Sequence, residues 1–259
     1  MGQLTMAQDR RLPIRLGKEP IVDAVCEIQL ASSVRFSQVM PGFLYSKLKG
    51  DKKVNQQPAS MLPSDLTRID PKLRFAPLSA MEWNGYTISF SDSSILIKCK
   101  LPYPRWATYR EAIKEIVDSM LEIDIITEIS RFSLKYVDLV EGNTPEDRVS
   151  NTAVALSIGD ITLENQNYQT QIEVREPDSK IIHIIQLASP AHMQSGEGKT
   201  IKLGTLITTD SIQLGPIPSI ETFKTSFIDS FDKLHQKNKE VFFKCLSDSG
   251  LESLEPIYE

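Results

Sequence analysis

The chain has 259 residues, 41% of them hydrophobic and 24% charged, with a formal net charge of −5. That composition suits one large globular domain or two small ones, and its mild acidity provides no general attraction to nucleic acid or anionic lipid. Its three cysteines, Cys26, Cys99 and Cys245, are far apart and set in apolar patterns, which argues against a disulfide framework or a zinc site.

The first twenty residues lack an apolar signal core, and no stretch approaches the ~18 apolar residues of a membrane span. A cytoplasmic protein with no membrane span is expected. In "IVDAVCEIQL" (21–30), Val22, Ala24, Cys26, Ile28 and Leu30 alternate with Asp23, Glu27 and Gln29, the period of a strand with one buried face. Residues 36–49 carry Phe36, Val39, Met40, Phe43, Leu44 and Leu48 at helical spacing, with Pro41 implying a kink or a helix start. The polar, proline-bearing stretch 50–71 reads as a loop. Asn84-Gly85 marks a tight turn between 81–83 and 86–90, and a second turn at 91–94 leads to 95–101, completing an antiparallel meander. A helix over 106–121 follows, with Trp106, Tyr109, Ile113, Ile116, Val117 and Met120 on its apolar side.

The order then begins again. "ISRFSLKYVDLVEG" (129–142) alternates like the first strand, and Thr144-Pro145 followed by acids opens a helix predicted to reach Ala155. Strands are predicted at 157–163, 168–175, 181–187 and 201–208. A final helix spans about 219–246, its stripe formed by Phe223, Phe227, Phe231, Leu234, Val241 or Phe242, and Cys245. The expected fold is α+β. Two pseudo-repeated halves, 1–127 and 128–259, each read strand, helix, antiparallel strands, long helix. Together they form a broad, twisted, mainly antiparallel sheet with helices on one face.

Several motifs invite a chemical reading. Gly196-Glu197-Gly198-Lys199-Thr200 resembles the end of a phosphate loop, but Met193 stands where the first glycine belongs and a strand, not a helix, is predicted next. His183 is expected mid-strand, His192 in a loop and His235 on a solvated helix face, with no two at ligand spacing; neither a metal nor a cofactor is expected. No Gly-x-Ser-x-Gly is present. Paired carboxylates occur at Asp23 with Glu27, which share a strand face, and at Asp138 with Glu141; acids of an edge or solvent face are the favoured reading. Arg131 and Lys135, opposite Phe132 and Leu134 on their strand, form a basic face near Trp106, Tyr109 and Tyr136. That face either binds phosphates or pairs with Asp23 and Glu27, the latter being the favoured reading. A ligand pocket between sheet and helices would draw on Trp106, Tyr109, Phe132 and Tyr136.

"EPIVDAVCEIQL", "YPRWATYREAI" and "ISRFSLKYVDLVEG" resemble a sporadically distributed bacterial family of proteins of about this length and unassigned function. The matching positions are Pro20, Tyr103, Trp106, Arg131 and Tyr136, while Asp138 stands where the family pattern has an amide. The resemblance implies a non-enzymatic binding or sensor protein, a component of bacterial antiphage defence with a protein partner encoded nearby. Its candidate ligand- or partner-contacting residues are Tyr103, Trp106, Arg131, Lys135, Tyr136 and Asp138. Nucleic acid is a weakly signalled partner, and a homo-oligomer is compatible with the sequence. The alternative is a metal-independent hydrolase or nuclease using Asp23, Glu27, Arg131 or Lys135.

Overall fold

The computed structural model describes residues 11–62, 70, 73–162, 166–177, 179–194 and 201–258. A short strand β1 (Arg15–Leu16) precedes β2 (Ile21–Ser32), helix α1 (Phe36–Lys47), β3 (Lys52–Gln56), and the meander β4 (Ser79–Trp83), β5 (Tyr86–Phe90) and β6 (Ser94–Cys99). Helix α2 (Trp106–Met120) leads to β7 (Ile126–Glu141), helix α3 (Pro145–Ser150), and a small hairpin of β8 (Ser157–Ile158) and β9 (Ile161–Thr162). Then come β10 (Tyr168–Arg175), β11 (Ile181–Gln194), β12 (Ile201–Leu214), α4 (Ile220–Lys244), α5 (Asp248–Ser253) and β13 (Pro256–Ile257).

Nine strands form one open sheet in the order β10-β11-β12-β7-β2-β6-β5-β4-β3, and every neighbouring pair is antiparallel. The fold is therefore α+β. β2 and β7 pair at the centre, with Cys26 opposite Leu134 and Ile28 opposite Phe132. The last strand of the first meander, β6, lies against β2, and the last strand of the second, β12, lies against β7. Both halves of the chain thus run outward from the centre in the same reversed order within one sheet. Among the described residues, no helix is long and apolar enough to cross a membrane.

Period-two patterning explains which face is covered. Ala24, Cys26, Ile28, Phe132, Leu134 and Tyr136 point together into a core shared with Tyr109, Ile113 and Ile116 of α2 and Phe223, Phe227 and Phe231 of α4. A second cluster gathers Val140, Ile185, Leu187 and Ile207 from the sheet with Val241, Phe242 and Phe243 of α4 and Leu251 of α5. Helix α2 packs between α1 and α4, and α1 and α4 lie against the sheet. The reverse side of β2 and β7 carries Asp23, Glu27, Arg131 and Lys135.

Local chemistry accounts for several boundaries. Asn84 (φ 45°) and Gly85 (φ 85°) both adopt left-handed backbone in the β4–β5 turn, the geometry that suits the twist of a two-residue hairpin. Thr144 caps α3 in a capping box with Asp147, whose backbone N–H donates to the Thr144 hydroxyl at 3.1 Å. This helix ends at Ser150, short of the Ala155 predicted, because Ala153 leaves the helix to hydrogen-bond the Cys245 carbonyl.

Other expectations are corrected. Helix α1 does not start at Pro41; it begins at Phe36 and runs through the proline. Proline removes the N–H that would serve the Ser37 carbonyl, and the Ser79 hydroxyl donates to that carbonyl instead, at 3.2 Å. The stretch read as a loop from 50 contains β3, a polar edge strand whose own pattern is weak and whose order comes from pairing Lys52–Gln56 with Trp83–Ser79. The strand predicted at 157–163 is split between β8 and β9 by a turn with Gly159 at φ 58°. β11 continues past Leu187 to Gln194 by taking Pro190 into a register shift between Ala188 and Ala191, where a missing ladder donor is tolerated. His192, expected in a loop, therefore lies in that strand.

Candidate ligand site

The two apolar clusters do not merge. On β7, Tyr136 belongs to the first and Val140 to the second, with Asp138 between them; on α4, Leu234 and Val241 are likewise separated by Asn238. Beside this polar seam lies a cavity of about 230 Å³. Its walls come from four places: the arm 13–21, the loop into α2 (Tyr103, Arg105, Trp106), β7 (Tyr136, Asp138) and α4 (His235, Asn238, Lys239, Phe242, Phe243). The arm is held by antiparallel pairing of β1 with β13 and by the Lys239 ammonium, which donates to the Pro13 carbonyl at 2.8 Å.

A chain of polar contacts orders one wall. The Tyr103 and Tyr136 hydroxyls lie 3.2 Å apart, and the Tyr136 hydroxyl lies 3.1 Å from Nδ1 of His235. His235 stacks on Trp106 at 4.3 Å between ring centroids, with planes 8° apart. The Trp106 indole N–H donates to Asp232 at 2.8 Å, and Arg110 Nε donates to the same carboxylate at 2.9 Å. Burial depresses the His235 imidazole to about 4, helped by the Lys239 charge and opposed by Asp232. It is therefore neutral at pH 7. Burial also raises both phenols, Tyr103 and Tyr136, so they remain protonated.

Asp138 is the unusual member. It is 3% exposed, it lines the cavity, and no hydrogen-bond donor among the described residues reaches its carboxylate. Burial pushes its carboxyl well above the usual range, and the nearby Glu19 charge adds to the rise. Glu19, on the arm, is itself raised by desolvation, against the Ile21 backbone N–H and Arg105. Arg105 adopts φ 69° and ψ 158° as the N-cap of α2, a region almost confined to glycine. Backbone strain of this kind concentrates where a residue is held for a purpose.

The sequence-derived candidates divide between the two faces of the sheet. Tyr103, Trp106, Tyr136 and Asp138 converge on the cavity. Arg131 and Lys135 point the other way. Arg131 pairs with Glu27 at 3.1 Å, and Lys98, not a β7 cation, pairs with Asp23 at 2.8 Å. Lys135 is exposed and stands opposite Asp210, whose carboxyl is raised by burial. Tyr109 and Phe132, grouped with the pocket by their spacing, are core side chains.

His235, expected on a solvated face, turns inward because Trp106 covers its ring. It was hidden by flanking Lys233, Gln236 and Lys237. Asn238 was missed as well, although its signal was present: it occupies a core position in a stripe that is otherwise apolar. The two N–H of its Nδ2 are shared among the carbonyls of Leu134 and Thr209, at 3.1 and 2.9 Å, and Ser211 Oγ, at 2.9 Å, while its Oδ1 accepts from the Thr209 hydroxyl at 2.9 Å. These bonds pin α4 to β7 and β12.

One constellation resembles a nucleophilic triad. Ser211 Oγ lies 2.8 Å from His183 Nδ1, and His183 Nε2 lies 3.3 Å from Glu176. Since Ser211 accepts from Asn238, its hydroxyl proton is free to go to Nδ1, leaving Nε2–H to donate to Glu176. Burial lowers the His183 pKa, consistent with this neutral form. Both Ser211 and His183 are 0% exposed, so no substrate reaches the hydroxyl in this conformation. The group satisfies buried polar atoms.

The phosphate-loop-like stretch 196–200 lies outside the described residues. The elements that flank it are both strands, β11 ending at Gln194 and β12 beginning at Ile201, and they pair with each other. No helix follows to direct its amides at a phosphate. Among the described residues, no group of three His, Cys, Asp or Glu side chains could hold a metal ion.

The fold and this cavity define an α+β protein with one open antiparallel sheet and an aromatic, acid-bearing pocket beneath its last long helix. No protein-family profile matches the chain, and no curated protein matches it.

Proposed function

We propose that this chain is a non-enzymatic ligand-binding or sensor protein whose ligand seats in the cavity between the arm, α2, β7 and α4. The observation that carries this reading is Asp138, a buried carboxyl without a donor, facing a cavity otherwise walled by Tyr103, Trp106, Tyr136 and Phe242. The Asp138 carboxyl meets the cavity rather than a protein donor, and a hydrogen bond to a charged group is worth about 1.5–3 kcal/mol, so a ligand that donates to it is favoured. Small-molecule sites characteristically combine apolar walls with a few convergent polar groups. On the opposite face Lys98 pairs with Asp23 and Arg131 with Glu27, which disfavours the alternative of a hydrolase or nuclease built on Asp23, Glu27 and Arg131.

The resemblance to the sporadic bacterial family adds a protein partner and a role in antiphage defence. On that reading, occupancy of the cavity is signalled to a product of an adjacent gene. Native mass spectrometry of the full chain, incubated with a small-molecule extract of its source cells, tests the core of the proposal. A bound species released by Trp106→Ala and retained by Lys135→Ala supports it; equal retention by both variants, or none bound at all, overturns it. Co-purification with the products of adjacent genes, with and without that species, tests the partner.

A further inference from the structure

We propose that the cavity selects a small organic cation, an amidinium, guanidinium or primary ammonium group, with its N–H donors directed at Asp138. This rests on the cavity being a ligand site and adds the chemical class of the ligand.

Three observations converge. First, the Asp138 carboxyl has two oxygens and no donor among the described residues, although it is almost wholly buried. Its neighbours on the wall are already committed: the Tyr136 hydroxyl to Tyr103 and His235, and the Asn238 amide to β7 and β12. A donor must therefore come from inside the cavity. Second, a further carboxylate, Glu19, lines the same space, and its charge adds to the cost of ionising Asp138. A cation between them removes that cost, whereas an anion compounds it. Third, the walls suit a cation with an apolar body. Tyr103 and Tyr136 meet edge to face at 5.8 Å, and aromatic faces attract cations through their quadrupoles.

Three cations also line the cavity: Lys239 is tied to the Pro13 carbonyl, Arg105 acts on Glu19 by its charge, and Arg15 is exposed on the arm. Size sets the scale of the ligand. A dry protein cavity of roughly 150 Å³ accepts benzene, so a volume of about 230 Å³ accepts a benzene ring bearing one amidinium.

Three probes of nearly equal shape separate the outcomes: benzamidine (cation), benzamide (neutral) and benzoate (anion). Each is titrated into the full chain by calorimetry and by tryptophan emission, since Trp106 lines the cavity. Benzamidine is expected to bind saturably and at least about tenfold more tightly than benzamide, the scale of one charge-assisted hydrogen bond. Asp138→Asn is expected to abolish that preference, and Glu19→Gln, on the exposed arm where folding is not at stake, to weaken it several-fold. Circular dichroism and a thermal melt establish that Asp138→Asn is folded. Equal binding of benzamide or benzoate, or benzamidine binding unchanged in Asp138→Asn, overturns the cation assignment while leaving a ligand site. Silence towards all three probes overturns both.

Discussion

Trp106 and His235 lie face to face, 4.3 Å apart and nearly parallel, although 129 residues separate them in the sequence (235 − 106). The stack joins the first turn of α2 to the middle of α4 and closes one wall of the cavity. It also desolvates an imidazole, and that has a measurable consequence.

The His235 pKa falls from 6.5 to about 4 on folding. A depressed folded pKa means that the unfolded chain binds the proton more tightly. Stability from this group is therefore present above pH 6.5 and is lost as pH falls towards 4. Between pH 7 and pH 4.5 the loss is about 2–3 kcal/mol. His235→Gln is expected to remove that part of the acid sensitivity. Urea denaturation at both pH values checks it, through the difference between wild type and variant; parallel losses in the two proteins contradict it.

Asp138 acts in the opposite sense. Its folded pKa is raised, so the folded chain holds the proton more tightly and stability falls as pH rises above the ordinary carboxylate value. Asp138→Asn keeps the shape and removes the charge. The variant is expected to melt at or above the wild-type temperature at neutral pH, with an advantage that shrinks towards pH 4. Thermal melts across that range measure it.

Arg105 holds a backbone conformation that glycine adopts without strain. Arg105→Gly is expected to stabilise the protein by about 1 kcal/mol, within the usual cost of such strain. Arg105→Ala, which keeps the strain and loses the guanidinium, should not. Denaturation of both variants side by side separates the backbone effect from the charge.

Asn238 makes four hydrogen bonds in an interior where nothing replaces them. Asn238→Ala leaves the Leu134 carbonyl, Thr209 and Ser211 short of partners and is expected to cost about 2–4 kcal/mol. Asn238→Asp is expected to cost more, since a buried carboxylate would face the carbonyls of Leu134 and Thr209. Equilibrium denaturation of both variants measures the ordering.

Gly204 has no room for a side chain: a Cβ there would stand 2.2 Å from the Val140 carbonyl oxygen across the β12–β7 pair. Gly204→Ala is expected to destabilise by about 2–4 kcal/mol through displacement of the strand. Gly159→Asn, on the exposed β8–β9 turn, should be close to neutral because Asn tolerates left-handed backbone.

Some of the fold was legible because its signals are local. Strict alternation exposed β2 and β7, helical spacing exposed α2 and α4, and Asn84-Gly85 marked a hairpin. The less legible parts depend on partners. β3 is polar and orders by pairing with β4. Pro190 looks like a strand terminator until β12 accommodates a bulge beside it. The candidate site was half visible: Tyr103, Trp106, Tyr136 and Asp138 were named, but Arg131 and Lys135 were grouped with them across a sheet that places them on the other face.

Patterning along the chain by itself determined the α+β class, the two similar runs of elements and the buried side of each central strand, since these follow from periods of 2 and 3.6 residues. Only the tertiary structure decided that Asp138 would be left without a donor, that His235 would turn inward against Trp106, and that both would meet at a gap between two apolar clusters. Whether a polar side chain is solvated, paired or stranded is set by what packs over it, and at this site the packing elements come from residues 13–21, 103–106, 136–138 and 235–243, which no local periodicity connects.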